Sequence, residues 1–371
     1  MKLVFVTDNG FSEMDGVYYF SSPNYTHVRH LKKYFDEFVF IARNDKYDKS
    51  YFKIDAASPV YLFGKFSVPK MIKKLEEVIE DADAVICYGI NGYFAYKVAK
   101  RKNKTIITYN GGDAYDFLIS RGTLKGRAVA PIVRYLEKEK YLNADYAHYC
   151  DSFLVDKYPT KGEVLVCSGV SIEINEKNLE NRISKIKNKT NKKFVVGLTG
   201  HTRNNLKGIG TAIKAIADLD ENFEFQVVGR GEHDQYDELA ESLGIENRVT
   251  FLGTLKAGDE IFNWLDSIDI YIQPSLSEGL PRATIEAMSR GCPIISSNAG
   301  GLTHLIEDEF RINYGDHMAL SKKIKHFASD LNLMESQAII NFSKSREFAP
   351  EIRDKKYDDF YGKIVGRDNN C

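Results

Sequence analysis

The sequence predicts an α/β chain of two doubly wound domains, each a parallel sheet covered by helices. Three observations carry that expectation. Short continuous apolar runs, such as Leu3–Thr7, Ala84–Tyr88, Phe194–Leu198 and Ile268–Ile272, read as strands buried on both faces. Stretches of helical character alternate with them, the order that folds into a parallel sheet. At 371 residues the chain is too long for one ordinary core.

The first half runs as follows. Leu3–Thr7 is a strand, and the turn-rich segment Asp8–Gly16 reads as the loop after it. Tyr25–Phe35 has helical character, Phe38–Ala42 is a strand and Val60–Phe63 a further one. Val68–Glu80 is an amphipathic helix carrying Lys70, Lys73 and Lys74. Ala84–Tyr88 is a strand and Tyr93–Arg101 a helix. Thr105–Tyr109 is a strand that ends in Asn110-Gly-Gly-Asp113, and Leu124–Leu142 is a long helix. Tyr146–Tyr149 and Val164–Val166 complete the first sheet.

Glu173–Lys193 is dense in Lys, Glu and Asn without a core-forming period, so it reads as an exposed segment at a junction. A second alternation follows. Phe194–Leu198, Phe223–Val228, Val249–Leu252, Ile268–Ile272 and Cys292–Ser297 are strands. Gly208–Asp218, Asp234–Leu243, Ile261–Leu265 and Met318–Leu331 are helices. Phe342–Val365 is helical with a break at Pro350. Two Rossmann-like domains facing each other across a cleft are expected, spanning 1–168 and 169–345, with 346–371 a final helix crossing back to the first.

Composition narrows the class. Lys and Arg number 51 against 52 Asp and Glu, so the balance argues against broad nucleic-acid binding. The five cysteines are scattered, odd in number and without a C-x-x-C pair, which points to reduced thiols and a cytoplasmic setting. The N-terminal apolar run is too short for a signal peptide and no window suits a membrane-spanning helix. Membrane contact, at the inner face, would be peripheral.

Pro274–Pro293 holds the densest chemistry. Pro281 sits where a first helical residue belongs, since its missing N–H has no partner there anyway. Leu280 precedes it in place of the usual Ser, Thr, Asp or Asn cap. Amides at this helix start are thus available, and a phosphate is the natural ligand. Gly291 and Pro293 end the helix. Glu278 lies in the loop and Glu286 about a turn into the helix.

The Glu278-x7-Glu286 spacing within Ser-Glu-Gly-Leu-Pro resembles the retaining GT-B glycosyltransferases of family 4, the glycosyl transferases group 1. Leu198–Gly208 resembles that family's basic phosphate-binding segment, Val227–Gly231 its Gly-x-Gly turn, and Arg248–Gly253 its base-side strand. Gly291–Ser296 and Gly300-Gly301 extend the likeness, which is strong over residues 165–310 and faint before them.

The resemblance implies a donor site. Lys207 would hold the leaving diphosphate, the amides of Gly279 and Leu280 the β-phosphate, Glu286 the ribose hydroxyls, and Glu278 the donor sugar. The family has an Arg directly after the glycine that ends the strand. Here His201 follows Gly200, and Arg203 is the nearest substitute, with Arg230 and Arg282 also at hand. The family's N-terminal His is replaced by Asn110, which bonds a sugar but cannot act as acid or base. Asp113 is the other catalytic candidate there, with a turn or cap as its plain role. Gly10 and Gly16 lie where the family lets backbone approach the donor.

Other signals have plainer readings. Asp81-Ala-Asp83 precedes a strand instead of following one, unlike a metal-binding D-x-D, and His27 with His30 lack an evident third ligand. No metal and no cofactor are expected, the nucleotide sugar being a substrate. The lysines of Val68–Lys74, with Phe63, Phe66, Met71 and Ile72, suit either an anionic membrane surface or an ordinary amphipathic helix. The resulting expectation is a metal-independent hexosyltransferase taking a UDP- or GDP-sugar to a glycan or lipid-linked acceptor in surface polysaccharide biosynthesis. The alternatives are a GT-B-like protein that binds nucleotide sugar without turnover, and a sugar epimerase.

Overall fold

The computed structural model describes residues 1–20, 25–47, 51–54, 58–64, 67–120, 122–190, 193–203 and 205–366. Phe66, Asn204 and Cys371 lie outside the described residues. The chain divides into two compact units, one formed by Met1–Gly169 with Arg353 onward, the other by Val170–Ile352.

Unit 1 contains β1 (Lys2–Met14), β2 (Val17–Phe20), α1 (Tyr25–Leu31), β3 (Glu37–Asn44), β4 (Phe52–Lys53), β5 (Val60–Phe63), α2 (Val68–Glu80) and β6 (Ala84–Cys87). It continues with α3 (Gly89–Arg101), β7 (Thr105–Asn110), α4 (Ala114–Ser120), α5 (Leu124–Leu142), β8 (Tyr146–Tyr149), α6 (Phe153–Lys157) and β9 (Glu163–Val166). The parallel strands lie in the order β5-β3-β1-β6-β7-β8-β9, and β2 and β4 extend the far half of β1 antiparallel. β1 is central, with Val4 between Val39 and Val85. Successive β1 residues serve opposite faces. Leu3 and Phe5 join one core with Phe40 and Tyr109, and Val4 and Val6 join another with Leu75 and Tyr96. A strand buried on both faces needs an unbroken apolar run, which is why the pattern was readable.

The expected loop Asp8–Gly16 is instead strand and hairpin. β1 runs on to Met14 and turns through Asp15 (φ 52°) and Gly16 (φ 72°) to pair Met14 with Val17. That is a two-residue Asp-Gly hairpin of the type whose twist matches the strands. Gly10 lies inside the strand opposite Arg43, and a Cβ there would sit 2.3 Å from the Asp45 carboxylate.

Unit 2 contains α7 (Glu176–Lys187), β10 (Phe194–Thr199), α8 (Ile209–Ala217), β11 (Phe223–Val228), α9 (Asp234–Ser242), β12 (Val249–Gly253), α10 (Asp259–Ser267) and β13 (Ile270–Gln273). After it come α11 (Arg282–Ser289), β14 (Ile294–Ser297), α12 (Leu302–Leu305), β15 (Arg311–Ile312), α13 (His317–Ser329) and α14 (Leu331–Ser345). All neighbouring strands are parallel, in the order β12-β11-β10-β13-β14-β15. The order reverses between β10 and β13, so the loops after those two strands diverge and leave a crevice at their carboxyl ends.

Part of the segment expected to be exposed is α7. Its Arg182 is buried and donates to the carbonyls of Arg290, Ile268 and Leu265 at 3.1, 2.6 and 2.7 Å. A charged side chain thus anchors a helix with few apolar residues, which no apolar period could reveal. The final helical stretch is α14, a short 3-10 turn and α15 (Pro350–Ile364).

From Arg353 onward α15 belongs to unit 1, where Tyr357, Phe360 and Tyr361 enter the core. His27 lies stacked on Tyr109, with ring centres 4.0 Å apart, and its Nδ1 is 2.9 Å from the Tyr357 hydroxyl. His148 Nε2 is 2.6 Å from the Cys167 carbonyl, so that nitrogen carries the proton. Its Nδ1 then accepts from the Tyr361 hydroxyl at 2.8 Å. Burial pushes the His148 pKa down to about 4 and lowers that of His27 well below its usual value, the latter with smaller contributions from His148 and His30.

Candidate functional site

Two loops build the site in unit 2, one after β10 and one after β13. The close approach of the loops needs glycine at 208. Gly208 has φ 75°, and a Cβ there would lie 2.0 Å from the Pro274 carbonyl oxygen. Gly200 leaves room for the Lys207 stem, whose Cβ is 2.7 Å from where a Gly200 Cβ would be. Asn205 fixes the turn by accepting from the Gly210 amide at 2.9 Å, and the Tyr314 hydroxyl donates to the Asn205 carbonyl at 3.1 Å.

This arrangement brings Lys207 Nζ to 2.7 and 2.9 Å from the two Glu278 oxygens. The carboxylate is 7 % exposed and the lysine 30 %, so the charge pair is reachable from solvent on the cation side. Glu278 is held from behind. Ser275 Oγ donates to its Oε1 at 2.6 Å and Gln273 Nε2 lies 3.2 Å from the same oxygen. The Tyr271 hydroxyl donates to Gln273 Oε1 at 2.6 Å, which fixes the amide so that its NH2 faces Ser275 and Glu278. Tyr271, Gln273 and Ser275 join the candidate site residues only in the folded structure. The signal available was a Gln and a Ser at the carboxyl end of an apolar strand, polar groups that burial obliges to find partners.

α11 starts at Arg282, with Pro281 as its cap and no side-chain cap bond, one residue later than the sequence placed it. Among the described residues no acceptor is found for the amides of Gly279 and Leu280. Glu286 faces Arg282 one turn away, with Nε to Oε1 at 2.9 Å. That pair is soft, because Arg282 is 63 % exposed.

The cationic side is formed by Lys207, Arg203 and Arg230 around His201. Partial burial, then Arg230 and Lys207, lower the His201 pKa, so its imidazole is neutral near pH 7. Arg203 is exposed and lines an open cleft of about 400 Å³ with Gly231, Glu232, Asp234 and Gln235.

In unit 1 the candidates have firm local partners. Asn110 is buried at the end of β7 and its Oδ1 accepts from the Gly112 amide at 3.0 Å. Asp113 caps α4, accepting from the amides of Tyr115 and Asp116 at 2.8 and 3.1 Å and from the Tyr158 hydroxyl at 2.9 Å. Lys157 also pairs with it. Asp83 accepts from the Lys2 amide at 2.7 Å, and His30 pairs with Asp354. Among the described residues no three His, Cys, Asp or Glu side chains converge as a metal site. The apolar side of α2 is turned inward, with Met71, Leu75, Val78 and Ile79 buried, and the helix presents Lys70, Lys73, Glu77 and Glu80 to solvent.

Two parallel α/β sheets, one with a charged crevice at its switch point, make this a protein of the GT-B fold. The family model for glycosyl transferases group 1 matches residues 180–344. Protein CapJ of Staphylococcus aureus is 30 % identical over 284 residues, covering 74 % of this chain and 70 % of CapJ. The chain belongs to the group 1 glycosyl transferases. Among solved structures, the lipopolysaccharide outer core galactosyltransferase WaaB superposes with a TM-score of 0.68 at 17 % identity, covering 98 % of this chain and 99 % of WaaB. Anabaena HepE in complex with UDP gives 0.68 at 17 % identity, covering 98 % of this chain and 100 % of HepE.

Proposed function

We propose that this chain is a retaining, metal-independent glycosyltransferase of family 4 that moves a hexosyl unit from a UDP- or GDP-sugar to a glycan or lipid-linked acceptor. The observation that carries the proposal is the Lys207–Glu278 pair at the switch point, beside the amides of Gly279 and Leu280. A carboxylate, a cation and two amides without an acceptor among the described residues are the groups that a nucleotide-sugar donor requires. UDP in the HepE complex and the lipopolysaccharide chemistry of WaaB support the donor type and a surface-glycan acceptor.

In this reading Lys207 moves from Glu278 toward the leaving diphosphate, assisted by Arg203, with His201 and Arg230 nearby. Glu286 exchanges its exposed Arg282 partner for the ribose hydroxyls. Glu278 holds the sugar as positive charge develops at the anomeric carbon. The bond from that carbon to the β-phosphate oxygen breaks and the acceptor oxygen bonds on the same face. The acceptor proton passes to the departing phosphate oxygen. Asn110 contributes hydrogen bonding only, and Asp113 serves chiefly as a cap. The reaction takes place on the cytoplasmic side, with the protein in peripheral contact with the membrane.

A panel of UDP-, GDP- and ADP-sugars tests the proposal by thermal shift and by product formation. One donor is expected to stabilise the protein and be transferred or slowly hydrolysed. Absence of binding, hydrolysis and transfer for every donor would refute it. Glu278→Ala separates enzyme from binder, because an enzyme loses turnover whereas a binding protein loses at most affinity.

A further inference from the structure

The turn after β10 carries an imidazole at His201, and the turn after β11 fixes where that imidazole sits. Gly200 and Gly229 follow the two strands and lie so close that a Cβ on Gly229 would be 1.9 Å from the Gly200 carbonyl oxygen. Gly231 meets Thr202 in the same way, with a Cβ 2.4 Å from Thr202 Oγ1. Thr202 is buried, its amide donates to the Arg230 carbonyl at 3.2 Å, and its own carbonyl accepts from Gln235 Nε2 at 3.1 Å. These contacts join the two turns and hold His201 beside Arg230 at the carboxyl end of the sheet.

His201 keeps part of its ring open to solvent, whereas Gly200 and Thr202 on either side of it are buried. Arg230, Lys207 and Arg203 act on the ring, in decreasing order, and all three are cations. The Arg230 carbonyl opposes them by favouring the charged ring. Of the carboxylates near these cations, Glu278 is turned to Lys207, and Glu232 lines the cleft with Arg203. Cations around a base that titrates near neutrality keep its proton off in the free protein. A diphosphate reverses that balance, because an anion within a few ångströms favours imidazolium over imidazole. A neutral ring thus avoids a fourth repelling charge before the anion arrives, and supplies one afterwards.

We propose that His201 is a proton-linked ligand for the diphosphate: its imidazole takes one proton from solvent as the diphosphate meets Lys207 and Arg230, and returns it when the nucleoside diphosphate leaves. The inference rests on the donor reading above. Binding and protonation are coupled, so each strengthens the other by the same factor. The charge that develops on the departing phosphate oxygen then meets an imidazolium, and His201 consumes no proton over a full cycle.

The test follows the His201 ring by NMR. The chain has 8 histidines, and the signal lost in His201→Gln assigns this one. In the free protein the ring is expected to titrate below the usual histidine value of about 6.5. With saturating UDP, GDP, ADP or inorganic pyrophosphate, whichever binds, it is expected to titrate higher. Calorimetry at pH 6 and pH 8 gives the affinity for the bound probe, taken relative to His201→Gln so that the probe's own titration cancels. That relative affinity is expected to be about tenfold greater at pH 6, within the usual range of coupling between two sites. His201→Arg carries a permanent charge and is expected to lose the extra pH dependence. Both variants alter an exposed side chain and are expected to keep the wild-type melting temperature.

An unchanged His201 titration in wild-type protein saturated with a nucleoside diphosphate would overturn the proposal and leave the donor reading standing. A raised titration with pyrophosphate, without binding of any of the three nucleotides, would support the diphosphate ligand and overturn the donor reading. Absence of binding by all four probes would overturn both.

Discussion

Lys207 Nζ lies within 2.9 Å of both Glu278 oxygens although the residues are 71 positions apart. Each ends up there because β10 and β13 are neighbours at the reversal of the strand order. Glu278→Gln keeps the shape and removes the charge. It is expected to lower kcat by about 10²–10³-fold, the usual effect of removing one group aimed at developing charge. Lys207→Ala is expected to fall in the same range. The double variant should be no slower than the worse single one, because the two act as a unit. Initial rates of product formation decide it.

Gln273 acts through Glu278. Gln273→Leu leaves Glu278 and the Tyr271 hydroxyl each short of a buried partner. A stability loss of about 1–3 kcal/mol is expected, with kcat down about 10²-fold from a misplaced carboxylate. Donor KM should change far less than kcat. A KM effect as large as the kcat effect would count against a positioning role.

Gly208→Ala forces a Cβ against the Pro274 carbonyl and a left-handed backbone on alanine. The backbone alone costs about 1–2 kcal/mol, and the clash should separate the two loops and abolish donor binding. Gly210→Ala is the control. Its Cβ would find its nearest atom at 3.4 Å inside α8, so a stabilisation of about 0.4–1 kcal/mol is expected. Thermal melts with and without donor separate the two outcomes.

Acid should weaken unit 1 through His27 and His148. Both are buried and hold protons less readily when folded than when unfolded. Their contribution is therefore full above the unfolded pKa of about 6.5. For His148 it declines as pH falls from there toward about 4, because the unfolded chain binds the proton first. His148→Phe should flatten that stretch of the stability–pH curve, measured by urea unfolding. An equally steep acid decline in the variant would point to other groups.

Arg182→Leu removes three donors to buried carbonyls in unit 2. A loss of about 3–5 kcal/mol is expected, read as a lowered melting temperature without a change in kcat at low temperature.

The loop after β13 is legible because its signals are local. Pro281, Gly291 and Pro293 mark the ends of α11, and the spacing of Glu278 and Glu286 follows from one short stretch. Strand positions in both units were legible because burial on two faces demands unbroken apolar runs. Asp8–Met14 carries turn residues and so reads as loop, although it is strand, because a hairpin depends on which strand β1 can reach. α7 was read as exposed because its anchor is a guanidinium, which carries no apolar period.

By itself the sequence determined two alternating α/β units, the ends of α11, and a set of candidate residues in the loops after β10 and β13. These rest on neighbours in the chain, where backbone sterics and side-chain period act. Tertiary structure alone decided that Lys207 meets Glu278, that Gln273 and Ser275 stand behind it, and that Asp113 caps α4. It also decided that α2 turns its apolar side inward. The reason in each case is strand order and helix packing, which bring together groups far apart in sequence through interactions that no single stretch encodes.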